Sequence, residues 1–156
     1  MNAVIFSNAQ IYRDIAEDAF HEMEKHLTRG RRRSPDGDGW IITLDPSQKS
    51  FKSALIFLVF SGMWLEATLH LLIVKRHGKS SYRKVDKQSY EAKLRLLGVG
   101  DETLYGSLAE FRTLRRELLH EKAHYDQNTL RIAQDEAIKV RVIMDEVAKA
   151  LKHANM

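Results

Sequence analysis

The chain has 156 residues, 44% of them apolar, with eight glycines, two prolines and no cysteine. That size and apolar content suit one domain with a real core; the scarcity of turn formers favours helices over a turn-rich β fold. The missing cysteines exclude disulfides and cysteine-based zinc sites, and a net charge of +4 is compatible with a nucleic-acid partner without requiring one.

Met1 to Ser7 lacks the basic stretch and long apolar run of a secretory signal, which predicts a cytoplasmic protein. Asn8 is placed to cap a first helix running to about Leu27, with Ile11, Ile15, Ala19, Phe20, Met23 and Leu27 at near-helical spacing. Arg29 to Gly39 then forms a basic, Gly-rich loop carrying Arg31, Arg32 and Arg33. Trp40 to Leu44 is short and β-branched, an extended segment suited to one strand of a hairpin. Asp45-Pro46-Ser47 breaks it and offers a cap for the next helix.

Residues 54 to 74 are long and apolar enough to raise a transmembrane reading. Glu66 and His70 oppose it, since an acid at the centre of a bilayer costs about 2.5–3.5 kcal/mol. A central bundle helix, covered by neighbours on every side, explains the same composition, so no membrane partner is expected. After Gly78 a polar loop is expected to run to about Asp86 and to carry Lys79, Arg83 and Lys84. Asp86 or Ser89 then caps a shorter helix bearing Tyr90, Ala92, Leu94, Leu96 and Leu97, and Gly98 is placed to stop it.

Asp101 caps a helix expected from Glu102 to about His124. A turn at 125–129 leads to a last helix of roughly residues 130 to 152, with Ile132, Ile138, Val142, Met144, Val147 and Leu151 among its apolar positions. The pattern is all-α: an up-and-down bundle of four to five helices in a single domain over 1–156, with a short extended segment near residues 40–44. Residues 1–49 supply the first helix and basic loop, and residues 50–152 the core.

Leu114 to His124 places Arg115, Arg116, His120 and His124 on one helix. Arginine is a permanent cation with planar donors for phosphate oxygens, and histidine carries a proton either way near neutral pH. At about 100° per residue, Leu104, Leu108, Phe111, Leu118 and Leu119 fall on one face with Arg115 in its middle. A guanidinium there needs a partner, and Glu66, the acid of the long apolar helix, is the natural candidate. His120 lies about 140° round from Arg115, so one chain does not bring both onto one phosphate. A two-fold axis can set one chain's arginine beside the other's histidine.

Arg115-Arg116-Glu117-Leu118-Leu119-His120 resembles the arginine, four-residue gap, histidine signature of the HEPN superfamily. The context is similar too: a long apolar helix with Leu65-Glu66-Ala67, a short helix over Lys93 to Gly98, the Arg/His helix, and a closing amphipathic helix. The resemblance covers about residues 50–152. It implies an all-α bundle that dimerises through the motif helix, and a metal-independent endoribonuclease with Arg115 and His120 in the catalytic positions, in the manner of toxins, antiphage effectors and RNA-processing enzymes. An effector of that kind is held in check by an antitoxin or neutralising partner protein.

On that resemblance, neutral His120 takes the proton of a ribose 2′-hydroxyl, which attacks phosphorus, and an imidazolium protonates the leaving 5′-oxygen. Arg115 stabilises the charge on the pentacoordinate phosphorus. The implied products are a 2′,3′-cyclic phosphate and a 5′-hydroxyl, with no metal or cofactor. Glu66, Arg116 and His124 are supporting positions, and Arg112, Lys122, Arg31, Arg32, Arg33, Lys79, Arg83 and Lys84 are candidates for holding flanking phosphates. Active members most often carry Asn, Asp or His after the motif arginine, where this chain has Arg116, a second cation that can add phosphate affinity or lower the pKa of His120.

The same residues also fit plainer roles. Arg112, Arg116, His120 and His124 recur every four residues and can be a solvated stripe, with Glu117 and Glu121 as ion-pair partners. Glu66 and His70 can be a hydrogen-bonded core pair, and His124 a cation favoured by a helix C-terminus. The histidines lack zincin-like spacing, and Gly37-Asp38-Gly39 does not lead from a strand into a helix as a phosphate loop would. The rival function is a non-catalytic HEPN-like module that dimerises, binds nucleotide or RNA, or serves as a subunit of a larger assembly.

Overall fold

A computed structural model of the chain describes residues 6–29, 32–37, 39–41, 45–119 and 133–154. Among them the order is α1 (Ala9–Thr28), β1 (Arg32–Arg33), β2 (Trp40–Ile41), α2 (Lys49–Val85), α3 (Tyr90–Leu96), α4 (Glu102–Leu119) and α5 (Ala133–Ala154). The fold is all-α apart from a two-residue antiparallel ladder that pairs Arg32 with Ile41 and Arg33 with Trp40. The expected hairpin strand is therefore present at Trp40 and Ile41, while 42–44 lie outside the described residues.

Side-chain pairs give the helix directions. Phe20 meets Phe57, and Arg13 lies over Trp64, so α1 runs antiparallel to α2. Gln134 reaches Ser50 near the start of α2, and the Ala154 carbonyl accepts from Arg76 further along it, so α5 runs parallel to α2. Buried Phe57, Leu58, Leu65, Leu69 and Ile73 of α2 form the centre of the core, joined by Met23, Leu94, Leu108, Phe111, Val140 and Val147. Each such side chain contributes about 1.5–3 kcal/mol by leaving water. By length and composition α2 could cross a membrane; here α1, α5, α3 and α4 pack around it.

The caps follow the sequence with one exception. Ser89 accepts from the Ala92 amide at 3.3 Å and Asp101 from the Leu104 amide at 3.0 Å, each worth about 1 kcal/mol. Gly98 closes α3 at φ 84°. Asp45 accepts from the Ser50 amide at 2.9 Å and the Ser47 hydroxyl at 2.8 Å; these bonds favour its charged form and hold its pKa down to about 2. Asn8 sits at the N-cap of α1 without a side-chain bond, and Ser7 Oγ instead accepts from the Ala9 amide at 3.2 Å.

One expectation is corrected. The polar stretch after Gly78 is helical, not a loop: α2 continues to Val85, broken only by Gly78 at φ 82°, ψ 164°, a conformation essentially confined to glycine. Over twelve residues a straight helix would separate His70 and Tyr82 by about 18 Å, yet their rings stack at 4.0 Å, so the chain doubles back at Gly78. Tyr82 and Val85 pack on the core, which supplies the burial a free polar loop lacks. On α5 the buried stripe is Ala133, Ala137, Val140, Met144, Val147 and Leu151, while Ile138 and Val142 face outward. At about 100° per residue those six positions share one face, and Ile138 and Val142 fall on the far side of the helix.

Candidate functional site

The inner face of α4 holds Leu104, Leu108 and Phe111 as the angular reading requires, with Leu118 only partly buried against the core and the Leu119 side chain outside the described residues. Leu104, Leu108, Phe111 and Leu114 are buried, and Arg115 is half-buried beside them. Its guanidinium crosses α2 at Gly62: a Cβ there would lie 2.1 Å from Nε, 2.2 Å from Cζ and 2.6 Å from Nη1. A glycine inside an α-helix costs about 1 kcal/mol relative to alanine, and the crossing arginine is the reason for one here.

Glu66 is not the direct partner expected for Arg115. Arg115 Nη1 donates to the Tyr90 hydroxyl, and Glu66 Oε2 pairs at 2.8 Å with Lys93 of α3. The Lys93 side chain is 2% exposed, and a buried ammonium without a carboxylate is far costlier than a guanidinium resting on a phenol. The Tyr90 hydroxyl links the two cations through its contacts with Arg115 and Glu66. Burial pushes this phenol above its ordinary pKa, with the Arg115 charge opposing and Glu66 adding, so it remains a neutral donor at neutral pH. Among the described residues no carboxylate lies within ion-pair distance of Arg115, and its Nε, pressed against Gly62, has no hydrogen-bond partner.

Glu66 and His70 do not form the core pair that their spacing allowed. His70 is exposed and stacks on Tyr82, ring planes 28° apart. Burial, reinforced by hydrogen bonding to Asp86, raises the Tyr82 pKa above that of an ordinary phenol. Lys93 Nζ lies 5.9 Å from the Tyr82 ring centre. Tyr12, Met63, Glu66, His70, Tyr82 and Arg115 border a cleft of about 330 Å³, where α1, α2, the segment after Gly78 and α4 converge.

The remaining predicted positions are scattered. Arg112 pairs with Glu91 of α3 at 3.3 Å, and Arg116 is exposed in the last turn of α4. Arg32 and Arg33 lie on exposed β1, and Lys79, Arg83 and Lys84 on the exposed side of the segment after Gly78. His120, Lys122, His124 and Arg31 lie outside the described residues, His120 one position beyond Leu119. Among the described residues no group of three or more His, Asp or Glu is gathered to hold a metal.

Tyr90, Lys93, Tyr82, Tyr12 and Gly62 are the site residues that motif reading passes over. Gly62 carried a signal, since an isolated glycine in a helical apolar run marks a close approach. Nothing local distinguishes Tyr90 or Lys93, whose roles come from α3 packing across α2. Comparisons with protein-family models, curated proteins and solved structures return no match. Fold and site together define an all-α helical bundle with a polar, aromatic-edged cleft against its longest helix.

Proposed function

We propose that this chain is a metal-independent endoribonuclease of the HEPN kind, acting in the cytoplasm as a homodimer, with Arg115 of one protomer and His120 of the other at each site. The observation that carries this reading is the state of Arg115. Its guanidinium borders an open cleft, is held by the neutral phenol of Tyr90, and has no carboxylate partner among the described residues. A cation fixed in place but not neutralised is suited to stabilise charge developing on a phosphodiester. The crossing at Gly62 supports the same reading, because it preorganises the side chain through the backbone of α2.

In this mechanism His120 accepts the 2′-hydroxyl proton, O2′ attacks phosphorus, the P–O5′ bond breaks, and an imidazolium returns a proton to O5′. DNA, which lacks the nucleophile, is not cut. A toxin or a stress or defence effector restrained by a partner protein is the matching biological role. The test is incubation of the purified chain with structured RNA in EDTA. Wild type is expected to cut, leaving 2′,3′-cyclic phosphate ends, while His120→Ala and Arg115→Ala fall by at least about a hundredfold. Equal cutting by all three proteins removes the catalytic assignment.

The half-buried seat of Arg115 favours a second reading, a non-catalytic HEPN-like module in which that arginine only ties α4 to α2 and α3. On that reading Arg115→Ala lowers the melting temperature, and no RNA is cut by any form of the protein.

A further inference from the structure

Beside Arg115 the cleft carries groups that phosphate chemistry does not use. His70 and Tyr82 form a stacked pair at 4.0 Å on one side, and Tyr12 of α1 contributes a second aromatic ring to the wall. Glu66 lies among them with its side chain 42% exposed, although Lys93 Nζ is bound to it. Gly78 exists in its glycine-only conformation so that Tyr82 can return to His70. The cleft's volume of about 330 Å³ is at the small end of ligand pockets, room for one nucleoside rather than a helix or strand.

We propose that this cleft holds one unpaired base of an RNA substrate, stacked on the exposed His70 ring that Tyr82 backs, with Tyr12 in the cleft wall, and hydrogen-bonded by Glu66, with guanine the best fit. The inference rests on the reading of the chain as RNA-directed and adds the base next to the cut. Single-stranded RNA is read by splaying bases onto aromatic side chains and bonding their pairing edges. A carboxylate has only acceptors, with about four lone-pair directions. After Lys93 and Tyr90 are served, Glu66 retains acceptor capacity toward the cleft. Guanine presents two adjacent N–H donors, N1 and N2, on its pairing edge, and a carboxylate accepts both. Adenine and cytosine set one donor beside an acceptor, and uracil sets its donor between two acceptors, so each leaves an acceptor facing the carboxylate. With the base seated, its phosphate has Arg115 to turn to, which borders the same cleft.

The test is calorimetric titration of the full chain with guanosine, adenosine, cytidine and uridine monophosphates, beside cleavage of RNA libraries. Guanosine monophosphate is expected to bind about tenfold tighter than cytidine monophosphate, and His70→Ala to remove about tenfold of that affinity. Because His70 is exposed, the melting temperature of that variant should stay within a few degrees of wild type, separating lost stacking from lost structure. Glu66→Gln should erase the guanine preference while leaving weak, base-independent binding. Equal binding of the four nucleotides, or an affinity unmoved by His70→Ala, overturns the base subsite. Guanine-selective binding without cleavage upholds the subsite and removes the ribonuclease reading. Cleavage with no base preference, indifferent to His70→Ala, does the reverse.

Discussion

At the scale of single residues, Gly62 and Arg115 form one device. A methyl group at 62 occupies the guanidinium's place, but what it displaces is the end of a flexible side chain, and alanine regains about 1 kcal/mol of helix propensity. Gly62→Ala is therefore expected to fold with a melting temperature within a few degrees of wild type while RNA cleavage drops at least about tenfold, because Arg115 loses its orientation. Circular-dichroism melts and a cleavage assay read the two effects separately, and a variant that cleaves normally would show that Arg115 does not act from this seat. Asp45 allows a pH test. Its pKa is depressed to about 2 in the folded chain from an ordinary 3.8, so its contribution is complete above the ordinary value and fades as pH falls toward 2. Wild type should melt higher than Asp45→Ala at pH 6, with the gap closing between pH 4 and pH 2. A constant gap would mean that the Ser50 and Ser47 bonds do not depend on the charge.

At the scale of elements, Gly78 decides whether the segment after it builds the cleft. Any other residue at φ 82°, ψ 164° carries strain of about 1–3 kcal/mol, so Gly78→Ala is expected to lower stability by that amount. Tyr82 should loosen from His70, which ring-proton chemical shifts would report; unchanged shifts and melting would mean that the reversal is set by packing and not by glycine. The helices themselves were legible in the sequence because their punctuation is local: Ser89, Gly98 and Asp101 each do what their residue type predicts. The reversal at Gly78 was not, because a polar stretch after glycine reads as a loop until Tyr82 and Val85 are seen to have a core to pack on. The site was legible in the same divided way. Arg115 on the inner face of α4 followed from angle alone. Its partner did not, since Glu66, Tyr90 and Lys93 belong to two helices, and which cation takes the carboxylate depends on their relative burial.

At the scale of the whole molecule, the central claim is a composite site. Arg115 faces inward on α4, and continuing an ideal helix from it would set position 120 about 140° round, so the proposed ribonuclease site takes its arginine from one protomer and its histidine from the other. Complementation between two inactive variants tests this most directly. In a heterodimer of Arg115→Ala and His120→Ala chains, one site lacks both groups and the other keeps both. Tagged heterodimers purified after co-expression should therefore cleave RNA in EDTA at about half the wild-type rate, although each homodimer is inactive. Heterodimers as inactive as their parents, beside an active wild type, would contradict an active site shared between two chains.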